Sequence, residues 1–355
     1  MHRRTALTTP TRDPRAGGAT LEEVAKVAGV SRATVSRVVN GSPRVSGDVR
    51  RAVEAAVVEL GYVPNRAARS LVTRRSDSIG VVIAEPSTLL FNDPFFPRVL
   101  RGVSTYLSSR DLQLVLLMPS PSETHRTADY LAAGHVDGAI LVSLHDDDPL
   151  PGRIAEAGIP MVVSPRPRRP MAVSYVDVDN TGGAHGAVAH LVTQGRRVIA
   201  TVAGPQDMAP GVDRLTGYRD ALRDAAIGLD PTLEAVSDFT QGGGAAAMER
   251  LLKARPDIDA VFAASDLMAA GALSVLAAAG RRVPEDVAVV GFDDSPVASS
   301  TRPALTSVRQ PIEEMGEEMA RLLVTAVEGR DRAPRRVILA TQLIRRASSA
   351  GRRVP

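Results

Sequence analysis

The stretch "TLEEVAKVAGVSRATVSRVVNGSPRVS", residues 20–46, carries the signals of two short helices joined by a tight turn. Thr20 followed three residues later by Glu23 is a capping-box pattern, and the apolar residues behind it recur at helical spacing. Gly29 predicts the end of this helix, and Ser31 predicts the cap of a second helix. The stretch therefore predicts a helix-turn-helix.

The predicted second helix, residues 32–39, separates its valines from its arginines. If the valines face the core, two arginines and two small residues face outward near the helix N-terminus, the end that reaches base edges in a DNA major groove. These four residues are Arg32, Ala33, Ser36 and Arg37. Arginine can donate two hydrogen bonds to guanine O6 and N7. The pattern favours DNA binding, and an ordinary helical hairpin with solvated arginines is the alternative.

The charge of the chain is distributed unevenly. Residues 1–76 carry 14 Lys and Arg against 6 Asp and Glu, whereas the remaining residues carry 29 against 34. A basic head on an acidic body indicates that the head meets a polyanion, although a solvated surface would have the same composition. Charge thus agrees with DNA binding without deciding it.

The segments that flank the predicted motif differ in character. Residues 1–18 show no apolar period and are interpreted as a disordered basic tail. Ser46 predicts the cap of a third helix over about 47–60, which Gly61 closes. The segment 63–77 is basic and holds an exposed leucine, which predicts a linker with a short helix.

From residue 79 onward, apolar strand runs alternate with helical segments. The run "IGVVIA" at 79–84 is followed by a helix, and "VDGAILVS" at 136–143 and "DAVFAAS" at 259–265 repeat the pattern. Near-continuous apolar strands predict parallel sheets that are covered on both faces. The number of units favours two α/β lobes, with a ligand between them at the carboxyl ends of the strands.

Signals of catalysis and metal binding are weak. The chain has no cysteine, and "HDDD" at 145–148 stands alone before a proline. His185 and His190 are five residues apart, which does not place them on one helix face. We expect no metal, no cofactor and no enzymatic activity. A transport solute-binding protein and an α/β enzyme are the competing classes, and both lack sequence support.

The sequence also predicts where the protein acts. The basic start of the chain is not followed by an apolar run, and no stretch approaches the roughly 20 apolar residues of a membrane helix. We therefore expect a soluble, cytoplasmic protein, associated with the nucleoid when bound to DNA.

With these motifs in order, the sequence resembles the LacI/GalR family of bacterial transcription regulators over about residues 19–346. The head stretch carries the most specific match. Farther along the chain, "VDNTGGAHGAVAHL", "RLTGYRDAL", "ASDLMAAGAL" and "VVGFDDSPVASSTRPALTSVRQP" match in order. The implied fold class is α/β, with an all-α helix-turn-helix head and a two-lobed periplasmic-binding-protein-like body built from two doubly wound parallel sheets.

The resemblance implies that the head binds a pseudo-palindromic operator as a dimer. It implies a hinge helix over about 65–73 that folds only on specific DNA, with Leu71 as the residue that wedges into the minor groove. The implied DNA contacts are Thr20, Ser31, Arg32, Ala33, Thr34, Ser36, Arg37, Asn40, Ser46, Tyr62, Asn65, Arg66, Ala68, Arg69 and Leu71. No heptad pattern follows the last strand, which favours a dimer over a coiled-coil tetramer.

The resemblance also divides the chain into domains. The head covers 19–62, the hinge 63–77, the effector-binding and dimerisation body 78–346, and a C-terminal tail 347–355. Within the body, the implied N-lobe takes about 78–175 and 303–335, and the C-lobe takes about 176–302 and 336–346. The chain would cross between the lobes near 175–180, 298–303 and 335–342.

Five residues match ligand-binding positions of the family: Phe95, Phe96, Arg214, Phe239 and Asp266. Apolar ring faces, a fork of donors and an acceptor suit a sugar or a nucleobase. Ser164 and Met208 depart from the family's pattern, and the loop after the first strand is long. The sequence therefore predicts a ligand-controlled regulator, most simply a repressor that responds to a sugar, with a nucleobase- or nucleoside-responsive regulator as the alternative.

Overall fold

The computed structural model describes residues 19–39, 44–63, 75–120, 123–331 and 333–350. Contacts within the chain divide it into two units, at Arg74 and Arg75. Several predictions fall outside the described residues: the tail 1–18, most of the hinge, the end of the chain from 351 onward, and Asn40, Asn65, Arg66, Ala68, Arg69 and Leu71.

The head consists of α1 (Leu21–Val27), α2 (Arg32–Val39) and α3 (Gly47–Leu60). The capping box is present, since Thr20 Oγ1 accepts from the Glu23 amide at 3.3 Å and the Thr20 amide donates to Glu23 Oε2 at 2.8 Å. Gly29 has a φ of +66°, a left-handed conformation that glycine adopts without a steric penalty. The predicted helix-turn-helix is therefore formed.

Two head residues differ from their predicted roles. Ser46 precedes α3, but its side chain makes no capping hydrogen bond, and the Arg50 amide bonds its backbone oxygen instead. Tyr62 is buried in the head core, together with Val24, Val35 and Val53. Tyr62 therefore serves packing in this structure, since it belongs to one buried cluster with valines from all three helices.

The first lobe of the body contains a six-stranded sheet within the described residues. Its strands are β1 (Ser78–Ile83), β2 (Gln113–Leu117), β3 (Gly138–Val142), β4 (Met161–Ser164), β5 (Ser174–Val178) and β11 (Arg336–Leu339), in the order β11-β5-β4-β3-β1-β2. All neighbouring pairs are parallel. Its helices are α4 (Ser87–Asn92), α5 (Phe95–Ser108), α6 (Thr124–Ala132), α7 (Leu150–Glu156) and α13 (Ile312–Val327).

The second lobe repeats this plan. Its strands are β6 (Ile199–Ala203), β7 (Glu234–Val236), β8 (Ala260–Ala263), β9 (Ala288–Asp293), β10 (Thr306–Arg309) and β12 (Gln342–Ile344), in the order β12-β10-β9-β8-β6-β7. Only the β10–β12 pair among the described strands is antiparallel. Its helices are α8 (Asn180–Thr193), α9 (Ala209–Asp224), α10 (Gln241–Ala254), α11 (Asp266–Ala278) and α12 (Pro296–Ser300).

The sheets correct the expected lobe boundaries. We expected 303–335 in the first lobe and 336–346 in the second. The structure instead pairs β10 with β9 in the second sheet and β11 with β5 in the first. The chain thus changes lobes between β5 and α8, between β10 and α13, and between β11 and β12. Strand pairing decides where the chain changes lobes. Short strands of similar apolar character have no sequence feature that indicates which sheet they join.

Burial explains the two layers of helices. Every residue of β3 is buried, as is every residue of β6 and of β8, so both faces of these strands need cover. Helices α5 and α13 cover one face of the first sheet, with Val99, Val103, Met315 and Met319 in its core. Among the described helices, none combines the length and apolar character needed to cross a membrane.

Candidate effector cleft and DNA-binding surface

A cavity of about 760 Å³ lies between the two lobes. Its walls come from loops and helix starts at the carboxyl ends of strands, where parallel sheets place their ligands. Four of the five predicted ligand residues line it: Phe95, Phe96, Arg214 and Phe239. The volume is within the range of roughly 300–1,000 Å³ that is typical of small-molecule sites.

Arg214 on α9 is fixed in the cavity wall by three kinds of contact. Its Nε donates to Asn180 Oδ1 at 2.8 Å, and its Nη1 donates to the backbone oxygen of Ala264 at 2.6 Å. Its guanidinium lies 3.8 Å from the centroid of the Phe292 ring. Burial lowers the pKa of Arg214, and the carboxylate of Asp293 opposes that effect. The guanidinium is thus preorganised, with its rotamer held before any ligand arrives.

The aromatic side chains supply flat apolar surface. Phe95 and Phe96 begin α5 and meet edge to face, with ring centroids 5.4 Å apart. Phe239 lies across the cavity in the second lobe, and the Arg214 guanidinium is 5.8 Å from its ring centroid. A Cβ at Gly204 would lie 2.4 Å from the Phe239 ring, so glycine at that position makes room for the aromatic.

Backbone conformation is unusual at the cavity. Ser143, Phe239 and Asp293 line it, and their φ angles are +67°, +63° and +111°. Non-glycine residues rarely adopt such angles, because the Cβ then crowds the backbone. This strain, of order 1–3 kcal/mol per residue, concentrates where ligands bind. Three of the seven non-glycine residues with a positive φ in the described chain thus line this cavity.

Asp266 does not take its predicted position. It is fully buried beneath the cavity, where Oδ2 accepts from the Ser295 amide at 2.7 Å and Oδ1 accepts from Ser307 Oγ at 2.6 Å. Burial raises its pKa to about 7. Asp293, at the end of β9, lines the cavity instead. Asp266 is the first residue of α11, and its carboxylate binds the Ser295 amide and the Ser307 hydroxyl, which do not line the cavity.

Five carboxyl groups line the cavity that were not predicted from the sequence: Glu85, Asp93, Asp177, Asp238 and Asp293. Burial raises the pKa of Asp93, Asp177 and Asp293. Asp293 is also held by Gln310, whose Nε2 donates to Oδ1 at 2.5 Å. Asp293 lies at the end of β9 within a matched motif, and Asp177 lies near the end of β5, one residue before another motif. That position was the signal available in the sequence.

The head exposes the predicted recognition residues. Arg32, Ala33 and Arg37 are exposed on α2, and Thr34 and Ser36 are half-buried. Ser31 caps the helix, because its Oγ accepts from the Thr34 amide at 3.2 Å. Arg32 forms an ion pair with Glu22 on α1, with Nε 3.0 Å from Oε1.

The comparisons with known proteins agree with this architecture. The family model for bacterial regulatory proteins of the lacI family matches residues 20–65, and the model for the periplasmic binding protein-like domain matches residues 188–349. The HTH-type transcriptional regulator CelR of Thermobifida fusca is 55% identical over 332 residues, which cover 93% of this chain and 98% of CelR. This chain belongs to the LacI family. It is a helix-turn-helix transcriptional regulator.

Solved structures of LacI-family proteins have the same fold. The structure titled "transcriptional regulator CelR-cellobiose complex" has a TM-score of 0.76 and 52% identity, and the match covers 93% of this chain and 99% of that one. A lac repressor dimer bound to operator and the anti-inducer ONPF has a TM-score of 0.80 and 28% identity, over 94% and 99% of the two chains. The ribose operon repressor of Halalkalibacterium halodurans is 34% identical over 94% and 97%.

In this LacI-family chain, the "HDDD" segment joins the two lobes. His145 Nδ1 lies 2.7 Å from Asp207 Oδ2 in the second lobe, and the Asp146 amide donates to the Asp207 backbone oxygen at 2.9 Å. The neighbouring "PRPRRP" segment adds Arg166, whose Nη2 donates to Asp213 at 2.6 Å. No group of three or more His, Asp or Glu among the described residues could hold a metal ion.

Proposed function

We propose that this protein is a transcriptional repressor whose operator binding is controlled by a sugar in the interlobe cleft, with a cellobiose-type disaccharide as the first candidate. The observation that carries the proposal is the cavity itself, where the fixed guanidinium of Arg214 lies beside the ring of Phe239 and the carboxylate of Asp293. Sugars present hydroxyls at their edges and C–H groups on their faces. Donors, acceptors and an aromatic surface in one cavity match that chemistry.

The likeness to CelR supports the choice of sugar. Because this chain shares more than half its residues with CelR over nearly its whole length, and a CelR structure is a cellobiose complex, a β-linked glucose disaccharide is the first ligand to test. The nucleoside-responsive alternative makes the same use of an aromatic face and is tested alongside it.

The DNA-binding part of the proposal rests on the head. We assign base contacts to Arg32 and Arg37, because they are exposed on the second helix of the motif. We retain the minor-groove role of Leu71 and the dimer from the sequence analysis as parts of the proposal. The proposal assigns separate roles to three domains, which are the head 19–62, the hinge 63–77 and the body from 78. The protein would act in the cytoplasm, where chromosomal DNA lies.

Control requires that the ligand distinguish two lobe arrangements. A ligand that bound both arrangements equally would shift nothing, however tightly it bound. Several polar contacts join the lobes in this structure, among them His145 with Asp207 and Arg166 with Asp213. A ligand that stabilised this arrangement of the lobes would therefore change the spacing of the body elements to which the hinge connects the head.

The test combines calorimetry with DNA binding. Purified protein is titrated with cellobiose, with maltose as the α-linked control, and with adenosine and cytidine. Operator affinity is measured by fluorescence anisotropy on a duplex enriched from a random-sequence pool, with and without cellobiose. We expect saturable cellobiose binding and at least a fivefold change in operator affinity. Nucleoside binding without sugar binding would favour the alternative, and conversion of the sugar would point to an enzyme.

A further inference from the structure

Five helices of eight or more residues start at the cleft. The starts of α5, α8, α9, α10 and α11 each contribute residues to the cavity wall, such as Phe95, Asn180, Pro210, Gln241 and Leu267. Helix N-termini carry partial positive charge and free amides, so they attract phosphate and carboxylate groups. If the amides at these helix starts had no acceptor within the chain, the cleft would suit anionic sugars.

The chain's own side-chain oxygen atoms occupy four of these ends. The fifth helix, α9, begins after Met208 without a side-chain cap, and Pro210 in its first turn has no amide hydrogen to offer a ligand. Asp93 Oδ1 accepts from the Phe95 amide at 2.9 Å, and Asp179 Oδ1 accepts from the Gly182 amide at 2.8 Å. At α10, Thr240 Oγ1 accepts from the Gly243 amide at 2.9 Å, and Asp238 Oδ1 accepts from the Thr240 amide at 3.0 Å.

The start of α11 is filled in the same way. Ser265 Oγ accepts from the Met268 amide at 3.2 Å, and Asp293 Oδ2 lies 3.5 Å from the Asp266 amide. A ligand phosphate at any of these four helix ends would have to displace an intramolecular acceptor, which in three cases is or includes a carboxylate on the cavity wall.

The cationic groups of the cavity are also engaged. Arg214 donates to Asn180 and Ala264, and His145 bridges Glu85 and Asp207. Among the described lining residues, one guanidinium and one imidazole face five carboxyl groups, which are Glu85, Asp93, Asp177, Asp238 and Asp293. The charge of the cavity is therefore unfavourable for an anion, and no lining cation in the described chain stands apart from a carboxylate or carbonyl partner.

We propose that the cleft selects uncharged sugars and rejects their phosphorylated and carboxylated forms. This inference rests on the proposed function, since it concerns which sugars the same cleft accepts. A phosphate dianion in the cavity would be repelled by those carboxyl groups that are ionised. Those that burial keeps protonated would supply no positive charge to offset the desolvation of the phosphate. Cationic amino sugars would not meet this repulsion. The effector must then reach the protein unphosphorylated, so the uptake that supplies it leaves the sugar's hydroxyl groups free.

The experiment compares ligands that differ in charge alone. The full chain is titrated by calorimetry at fixed ionic strength with cellobiose, cellobiose 6′-phosphate and the β-linked dimer of glucosamine. We expect the phosphate ester to bind at least 100-fold more weakly than cellobiose, and the glucosamine dimer to stay within about tenfold. A phosphate ester that bound within threefold of cellobiose, or more tightly, would overturn the inference.

Charge-neutralising variants test the stated cause. Asp93→Asn keeps an acceptor for the Phe95 amide and removes one charge, so the affinity ratio of cellobiose to its phosphate should fall about fivefold. Asp238→Asn, at an exposed position, provides a second variant if the first fails to fold. Asp220→Asn, which changes an acid paired with Arg223 away from the cavity, is the control and should leave the ratio unchanged.

The two proposals can fail separately. If cellobiose does not bind but another neutral sugar does, and that sugar's phosphate does not, the disaccharide assignment fails and the charge selection stands. If phosphorylated sugars bind best and alter operator affinity, the sugar-controlled regulator stands and the charge selection is rejected. If no sugar of either kind binds, both are rejected.

Discussion

His145 and Asp207 join the two lobes of the body, with Nδ1 of the imidazole 2.7 Å from Oδ2 of the carboxylate. The other ring nitrogen, Nε2, lies 3.0 Å from Glu85 Oε1, and that carboxylate also accepts from Ser143 Oγ at 2.6 Å. His145 and Glu85 both line the cavity. One side chain thus lies at both the ligand cavity and the contact between the lobes.

We predict that His145→Ala weakens effector binding by up to about fivefold. The bridge stabilises this lobe arrangement, and a partly exposed ion pair of this kind contributes about 0.2–1 kcal/mol. Calorimetric titration with cellobiose measures the change. His185→Ala is the matched control, since His185 pairs with Asp224 at 2.9 Å within the second lobe. Equal losses in the two variants would show that closure does not depend on His145.

The same bridge predicts a pH dependence of stability. The hydrogen bond with Glu85, followed by that with Asp207, raises the pKa of His145 to about 9. A folded-state pKa above the ordinary value of about 6.5 means that the stabilisation is complete below that pH and is lost as the pH rises through about 9. The Tm difference between the wild type and His145→Ala should therefore be constant near pH 6 and shrink towards pH 9.5. Thermal unfolding of both proteins measures it, and a difference that grew with pH would contradict the assigned bridge.

The helix signals in the sequence predicted the three helices of the head, because caps and turn glycines act locally, although the expected Ser46 side-chain cap is not formed. Thr20, Gly29 and Ser31 occupy the positions that their chemistry predicts. Apolar runs likewise predicted the strands of the body, since a strand covered on both faces needs little else. These features depend on residues that are close in the sequence, so they can be predicted from the sequence alone.

Lobe boundaries and acid roles depend on distant pairing, which the sequence does not show. β10 and β11 are both short, and only their partners β9 and β5 assign them to different sheets. Asp266 and Asp293 both lie at the ends of apolar strand runs. Asp266 is nevertheless fully buried outside the cavity, whereas Asp293 lines it. The "HDDD" loop gained a role only because the fold brings Asp207 to its side of the cleft, and Asp213 likewise meets Arg166 of the "PRPRRP" segment.

Arg214→Lys should lower effector affinity at least tenfold and leave operator affinity unchanged without effector. Lysine keeps the charge but loses the planar fork that donates to Asn180 and Ala264 and stacks on Phe292. Operator titrations with and without cellobiose measure both properties. Arg219→Lys on the same helix, where Arg219 pairs with Glu234, is the control. Loss of effector-free DNA binding in Arg214→Lys would indicate a general folding defect.

Asp266→Ala should destabilise the body by about 2–4 kcal/mol, because it leaves the Ser295 amide and the Ser307 hydroxyl without their buried acceptor. Burial raises the pKa of Asp266 to about 7, so its ionisation costs stability above that pH, and this cost fades as the pH falls towards about 4. Chemical denaturation at pH 7.5 measures the loss. An unchanged midpoint with abolished effector binding would return Asp266 to the ligand contact first predicted.

The last prediction concerns the ion pair between Glu22 and Arg32, whose side chains are 62% and 69% exposed. An exposed pair contributes about 0.2–1 kcal/mol, so Arg32 can leave it for a guanine at small cost. Glu22→Gln frees the guanidinium and removes a negative charge from the face that we propose meets DNA. We expect operator affinity to rise about three- to tenfold at low salt, with the gain shrinking as salt screens the charge.

Two further variants separate the pair from the charge. Glu54→Gln makes the same charge change on α3 and should give a smaller gain, because Glu54 is on another helix of the head. In the Arg32→Ala background, Glu22→Gln should retain only that smaller gain, and Arg32→Ala alone should relax sequence preference by about 1–3 kcal/mol at one base pair. Anisotropy titrations on matched and single-mismatch duplexes measure the operator affinity and the sequence preference of each variant. An undiminished gain without Arg32 would mean that Glu22 acts on the DNA phosphates directly and that the ion pair does not restrain recognition.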